Sequence, residues 1–402
     1  MENKLLLYFL FATGFLGLSI IANSLYAWGV ISVLIFFSVK EIGKTNCFRL
    51  CIIGMLVSIA LCAISSQHYR GQTIMQSLSM SRSLMEITYF YFLLWLNPSV
   101  ESVEKFIEKA LKIVLLCYFI QVLIFPVAIF NGASADWIQN NSTPYRFIYV
   151  NGFTIITLGI FYNLNKYLNS KQSKYLVLFI ICISVLFIRG FRIMLFACLV
   201  SVIVLYYRFQ KDKNIISLSI KLIGIFILLA ITFFILYLSV PAIQTSLASI
   251  MERSSGGANF NNEDYIRMLN LRYFTELHFT DSIEYFWGSG IPHDSSKYGA
   301  YMNSLKSDTG YNYVDWGLLG LSWVGGMPLV FFILFYMVKC IITKTSKQQL
   351  YISSWFIFLI IVSITDPESY SRSAMLVQSH LLYLIYKIQY DKIQHYRCSI
   401  QH

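Results

Sequence analysis

The chain has 402 residues, 57% of them hydrophobic and 13% charged. A soluble domain of this size has no use for so much apolar surface, and apolar runs of roughly 17–25 residues recur along nearly the whole length, as spanning helices require. The net charge of +11 is spread over many short loops, so it reads as membrane topology rather than as a surface for nucleic acid.

Taken in order, the hydropathy predicts spans at 4–21, 23–39, 48–65, 82–97, 108–130, 147–165, 173–188, 191–208, 218–240, 314–340, 350–365 and 373–389. The expected fold is an all-α, polytopic transmembrane bundle of about 12 spans, forming a single integral membrane domain over 1–402. Lys4 is followed by a long apolar stretch and then by further spans, which is not the pattern of a cleaved signal. The first two spans meet at a tight turn near Asn23. The stretch 173–208 is too long for one span at about 1.5 Å per residue. It reads as a hairpin turning at Arg189-Gly190-Phe191-Arg192. The eight cysteines fall in spans or near their ends, with no CxxC or Cys/His spacing. Neither a disulfide framework nor a structural metal is expected from them.

The cations divide by type. Lys40, Lys44, Lys105, Lys109, Lys112, Lys166, Lys171, Lys174, Lys339, Lys344, Lys347 and Lys387 fall on one predicted face, together with Arg49 and Arg208. By the positive-inside rule that face is cytoplasmic, and an even number of spans puts both termini there. The opposite face carries Arg70, Arg82, Arg146, Arg189, Arg192, Arg253, Arg267, Arg272 and Arg372, with Lys297 and Lys306. Topology alone gives no reason to prefer arginine on that side. Arginine presents a planar fork of donors suited to phosphate or carboxylate oxygens.

The long loop, 241–312, lies on the same non-cytoplasmic side. A loop of that length is usually functional. Asn261 and Asp264 have capping-box spacing, and a helix from about Asn262 to His278 would place Ile266, Leu269, Tyr273 and Leu277 on one apolar stripe. Such a helix can lie at the membrane interface. A shorter loop, 131–146, ends at Arg146.

Arg189 and Arg192 have two readings: guanidinium groups snorkelling to headgroups, or a clamp on an anionic headgroup at the start of a helix. Arg146 opens a span and has the same two readings. Arg267 and Arg272 stand four residues from Glu263 and Glu276, so each also fits a surface ion pair. Gly288-Ser289-Gly290 lacks the lysine and the preceding strand of a nucleotide loop, and reads as a tight turn near the surface. Asp308 and Asp315 precede or enter a span on the arginine side. A carboxylate there can act as general base for a hydroxyl or as an arginine counter-ion. Asp315 reads as structural, and His278 and His293 as surface histidines.

The layout and the segments STPYRFIYVNGF, IRGFRIMLFACL and GSGIPHDSSKYG…SDTGYNYVDWGLLGL together resemble bacterial O-antigen polymerases of the Wzy type. Those belong to a superfamily shared with the O-antigen ligases. The resemblance covers the whole chain by layout, while its motifs are individually loose. It implies a glycosyltransferase of the inner membrane that joins polyprenyl-pyrophosphate-linked oligosaccharide repeat units at the periplasmic face, without nucleotide sugar, metal or other cofactor. It implies pyrophosphate contacts from Arg146, Arg189, Arg192, Arg267 and Arg272. The implied partners are the lipid-linked donor and acceptor, membrane lipid, a chain-length regulator and a flippase. In the ligase branch a His-Asn pair precedes the Gly-x-x-Gly span. Here the place reads Ser307-Asp308-Thr309-Gly310-Tyr311, which disfavours a ligase and leaves Asp308 as the expected catalytic base. The rival readings are the ligase and a transporter or flippase of lipid-linked oligosaccharides. A flippase would be expected to line a path reachable from both sides with charge, whereas the arginines here gather on one side.

Overall fold

The computed structural model describes residues 1–13, 24–124, 152–189, 192–210, 244 and 265–400, with backbone alone for 11–13, 24–31, 189 and 392–400. The described residues are mostly helical, with no strand. The helices are α1 (Glu2–Thr13), α2 (Ser24–Gly43), α3 (Arg49–Arg70), α4 (Ile74–Met80), α5 (Arg82–Met85) and α6 (Tyr89–Leu96), with one 3₁₀ turn joining the last two. Next come α7 (Val100–Leu123), α8 (Phe153–Ser170), α9 (Ser173–Arg189) and α10 (Arg192–Phe209). The segment from residue 265 adds α11 (Ile266–Arg272), α12 (Ser282–Trp287) and α13 (Lys297–Thr309). The chain closes with α14 (Gly317–Gly325), α15 (Met327–Ile342), α16 (Leu350–Val362) and α17 (Arg372–Ile400). The predicted span 218–240 lies outside the described residues.

Two described helices, Arg49–Arg70 and Arg192–Phe209, are long and apolar enough to cross a membrane. The helix α8 forms the centre of the bundle, packed by α7, α9, α16 and α17. Every residue from Phe153 to Asn165 is buried, Thr154, Thr157, Asn163 and Asn165 included. Some of its polar side chains bond within the helix. Thr157 Oγ1 donates to the Thr154 carbonyl at 2.9 Å, and Asn163 donates to the Gly159 carbonyl at 2.7 Å.

The outer surface is reversed. Leu50, Val57 and Ile64 of α3, Leu116 and Leu123 of α7, and Phe331 and Ile342 of α15 are exposed. Gln121, Asn163, Gln378 and His380 are buried.

Several of the cations bond across helices. Lys166 pairs with Glu104 at 2.6 Å and Lys109 with Glu2 at 3.0 Å. Lys387 donates to Asn97 at 3.1 Å, and Lys339 donates to the Cys47 carbonyl. Arg208 donates to Ser353 at 2.9 Å. These bonds tie the ends of α1, α6, α8, α10, α15 and α17 into one lysine-rich end of the bundle. The opposite end holds Arg70, Arg82, Arg192 and Arg372, and above it lies a cap built from α11 to α13.

Three expectations need correction. The span predicted at 314–340 is two helices, α14 and α15, separated at Gly325-Gly326. Gly326 has φ +92°, a conformation other residues rarely adopt, and a Cβ on it would lie 2.4 Å from the Trp287 carbonyl oxygen. The helix expected over 262–278 is described from Ile266 to Arg272 and continues as a π-helical turn, Tyr273–Leu277. Leu271 and Phe274 pack inward while Ile266 and Leu277 are exposed, and the wider turn carries Leu277 out of the 3.6-residue register. Gly288-Ser289-Gly290 is not a surface turn: all three residues are buried. The Ser289 and Gly290 amides donate to the carbonyls of Trp323 and Val324 at 3.0 and 2.8 Å, satisfying the end of α14.

The helix α7 also begins earlier than the apolar run at 108. Ser99 caps it, accepting from the Ser102 amide at 3.2 Å. The pairs Lys105–Glu101 at 2.8 Å and Lys112–Glu108 at 2.7 Å support its charged first turns.

Candidate functional site at the arginine end

The cap has its own small core. Phe274, Tyr298, Met302 and Trp323 are buried together, and the rings of Phe274 and Trp323 stack at 4.9 Å. Trp323 belongs to α14, so this core joins the cap to the bundle.

One clasp does the same from α3. Arg70, the last residue of that helix, pairs through Nε with Glu284 at 2.5 Å. It also donates to the His278 carbonyl, and its guanidinium carbon lies 5.5 Å from the centre of the Tyr298 ring. The Glu284 carboxylate is fully buried, and its second oxygen accepts from the Thr280 amide and hydroxyl, both at 2.9 Å. Beneath it, His278 Nε2 lies 3.0 Å from Ser289 Oγ, which lies 2.7 Å from Tyr298 Oη. Burial and the neighbouring Arg70 charge push the His278 imidazole down to about 3, so it is neutral and acts as a fixed hydrogen-bonding group. His278 is therefore not the surface histidine that the sequence suggested.

Between cap and bundle lies a floor of mixed charge. Asp315 is half-buried, and the charges of Arg267 and Lys306 act on it. Asp366 and Asp315 both act on Tyr370. Glu368 accepts from Thr154 Oγ1, which also lies 2.9 Å from Ser373 Oγ. Deeper, Tyr8 Oη donates to the buried Glu86 at 3.3 Å. Arg372, at the start of α17, acts on both Glu86 and Arg82. Guanidinium groups, carboxylates and hydroxyls thus alternate at one end of an apolar bundle. Such a floor can hold an anion, and its carboxylates can accept a proton from a hydroxyl.

The expected site residues fall in different places. Arg146 lies outside the described residues, as do Glu263 and the capping pair Asn261 and Asp264. Arg189 ends α9, and its side chain is not among those described. Arg192 begins α10 as expected and is exposed. Arg267 is half-buried, and its charge acts on Asp315. Arg272 pairs with Glu276 at 3.1 Å, and both side chains are largely exposed. Asp308 lies on the exposed side of α13 and accepts from Ser307 Oγ at 2.8 Å.

Sequence reasoning assigned no role to Arg70, Glu284, Glu86 or Glu368. A signal existed for Glu86, because a carboxylate inside the run SLMEITYFYFLLWL is a functional pointer in a spanning segment. Asp366, Glu368 and Arg372 crowd one short connection, TDPESYSR. Nothing local announces the partnership of Arg70 with a residue 214 positions away. Among the described residues no group of three His, Cys, Asp or Glu side chains is placed to hold a metal ion. Comparison with protein-family models, with characterised proteins and with solved structures returns no match.

Proposed function

We propose that the chain is a multi-pass glycosyltransferase of the bacterial inner membrane, an O-antigen polymerase that joins polyprenyl-pyrophosphate-linked oligosaccharide repeat units at the periplasmic face. In this reading the bundle has about twelve spans, both termini are cytoplasmic, and the lysine end faces the cytoplasm. The observation that carries the reading is the segregation of charge. Arg70, Arg82, Arg192 and Arg372 and half-buried carboxylates gather at one end, under a cap, while most of the bonded lysines lie at the other.

The chemistry matches that arrangement. An acceptor sugar hydroxyl attacks the anomeric carbon of the donor. The anomeric C–O bond breaks, its electron pair leaves on the pyrophosphate, and the hydroxyl proton passes to a carboxylate. Fixed guanidinium groups at a water-poor boundary stabilise the departing charge. Arg267 and Arg192 take that role, and the sequence reading adds Arg146 and Arg189 to them. Arg272 contributes less, because Glu276 already holds its guanidinium. Asp308 and Asp315 are the alternative bases. We favour Asp315, because it is half-buried and the charges of Arg267 and Lys306 act on it, whereas Asp308 is exposed.

The test is reconstitution. The protein in proteoliposomes, supplied with a polyprenyl-pyrophosphate-linked repeat unit, should release polyprenyl pyrophosphate and yield a ladder of longer saccharides. Replacing Arg267 by Ala should slow that reaction on the order of a hundredfold at unchanged protein abundance. Asp315→Asn should abolish it and Asp308→Asn should not. Absence of any elongated product from the wild-type protein would overturn the proposal.

A further inference from the structure

The apolar stripe of α15 does not end where the helix ends. Met327, Phe331, Phe335, Val338 and Ile342 recur at intervals of three or four residues and are exposed. The Phe331 and Phe335 rings stack at 5.8 Å. The helix has 16 residues, a length of about 24 Å against a hydrocarbon core of about 30 Å. By itself it is too short to cross.

At its N-terminal end sits α12, a helix of the cap. The two meet backbone to backbone at Gly288 and Gly326. A Cβ on Gly326 would lie 2.4 Å from the Trp287 oxygen and 3.1 Å from that of Phe286, and one on Gly288 would lie 2.4 Å from the Gly326 nitrogen. Ser65 of α3 donates to the Gly288 carbonyl at 2.8 Å, and the Cys62 thiol lies 3.1 Å from the Val324 carbonyl. Protein groups therefore satisfy the irregular backbone, which is the condition for non-helical chain at membrane depth. On its outer side α12 exposes Ile283 (58%) and Phe286 (45%), three residues apart. Glu284, on its inner side, is the fully buried partner of Arg70. Trp287 and Tyr285 flank this face, and aromatic side chains favour the level of lipid headgroups.

We propose that α12 completes the short span of α15, seating Ile283 and Phe286 among the acyl chains of the outer lipid leaflet. This rests on the membrane reading above and extends it to the cap, which is then held at a fixed depth. The floor below it stays level with the headgroups from which a lipid-linked substrate arrives.

Single cysteines test this. Phe286→Cys, Phe335→Cys and Ser304→Cys are each introduced and treated, in spheroplasts, with a membrane-impermeant maleimide. Labelling is corrected for the parent chain and normalised to the denatured protein. Ser304, exposed on α13, should label fast. Cysteine at 335 and at 286 should label at about a tenth of that rate or less. Fast labelling at 286 with protection at 335 would overturn the seating of α12 and leave the spanning bundle standing. Fast labelling at 335 would overturn the spanning reading and the seating together.

Discussion

Replacing Arg70 by Met keeps most of the stem and removes the charge, so it isolates the clasp between α3 and the cap. In the wild type Glu284 is fully buried and Arg70 is 16% exposed. Breaking a buried pair by removing one partner costs about 3–5 kcal/mol, because a carboxylate is left without its counter-charge. The His278 carbonyl also loses a donor, worth about 1–3 kcal/mol. The two effects share one guanidinium and do not add in full, and the slight exposure of Arg70 reduces both. The expected loss is about 4 kcal/mol, confined to the cap. It is read from hydrogen exchange of the Ser289 and Gly290 amides, which are bonded to Trp323 and Val324. About 4 kcal/mol corresponds to exchange roughly a thousandfold faster. Adding Glu284→Gln removes the stranded charge while still accepting from Thr280, so the double variant should recover about 2 kcal/mol. Exchange in Arg70→Met within about threefold of wild type, or no recovery in the double variant, would refute the clasp.

Three further outcomes are expected. His278 has a folded pKa of about 3 against an unfolded value near 6.5, so its contribution is complete above pH 6.5 and is lost as pH falls toward 3. At pH 4.5 the cap should be weaker by about 3 kcal/mol. Proteolysis of the cap should rise accordingly, and His278→Asn should flatten that dependence; an equal slope in the variant would assign it to another group. Gly326→Ala combines a positive φ with a Cβ 2.4 Å from the Trp287 oxygen, and should lower the unfolding temperature by the equivalent of about 2 kcal/mol or more; an unchanged melting temperature would contradict the junction. The exposed Arg272–Glu276 pair should contribute below about 0.5 kcal/mol. Arg272→Ala should therefore melt as wild type and retain transfer within about threefold, and a large loss of transfer at unchanged stability would place Arg272 on the pyrophosphate.

The parts of the fold that were legible are those governed by hydropathy and charge. The runs around α3, α9, α10 and α16 appear in the sequence as apolar stretches bounded by cations. The errors came where tertiary contacts outweigh local pattern. The apolar run 314–340 continues through Gly325-Gly326, and the break there depends on the cap backbone lying against it. The stripe assumed for 262–278 used a period of 3.6, which the π-helical turn at Tyr273–Leu277 does not keep. Asp308 stood out because it precedes a span. Asp315, seven residues later, looked structural, and its half-buried place in the field of Arg267 and Lys306 is set by the fold and has no local signal.

The most direct test of the central claim is a gel of surface polysaccharide from a strain lacking this gene. The account predicts loss of the long-chain ladder with retention of core bearing a single repeat unit. Bare core alone would contradict it and point to a ligase or a flippase. An unchanged ladder would contradict any role in building that polymer.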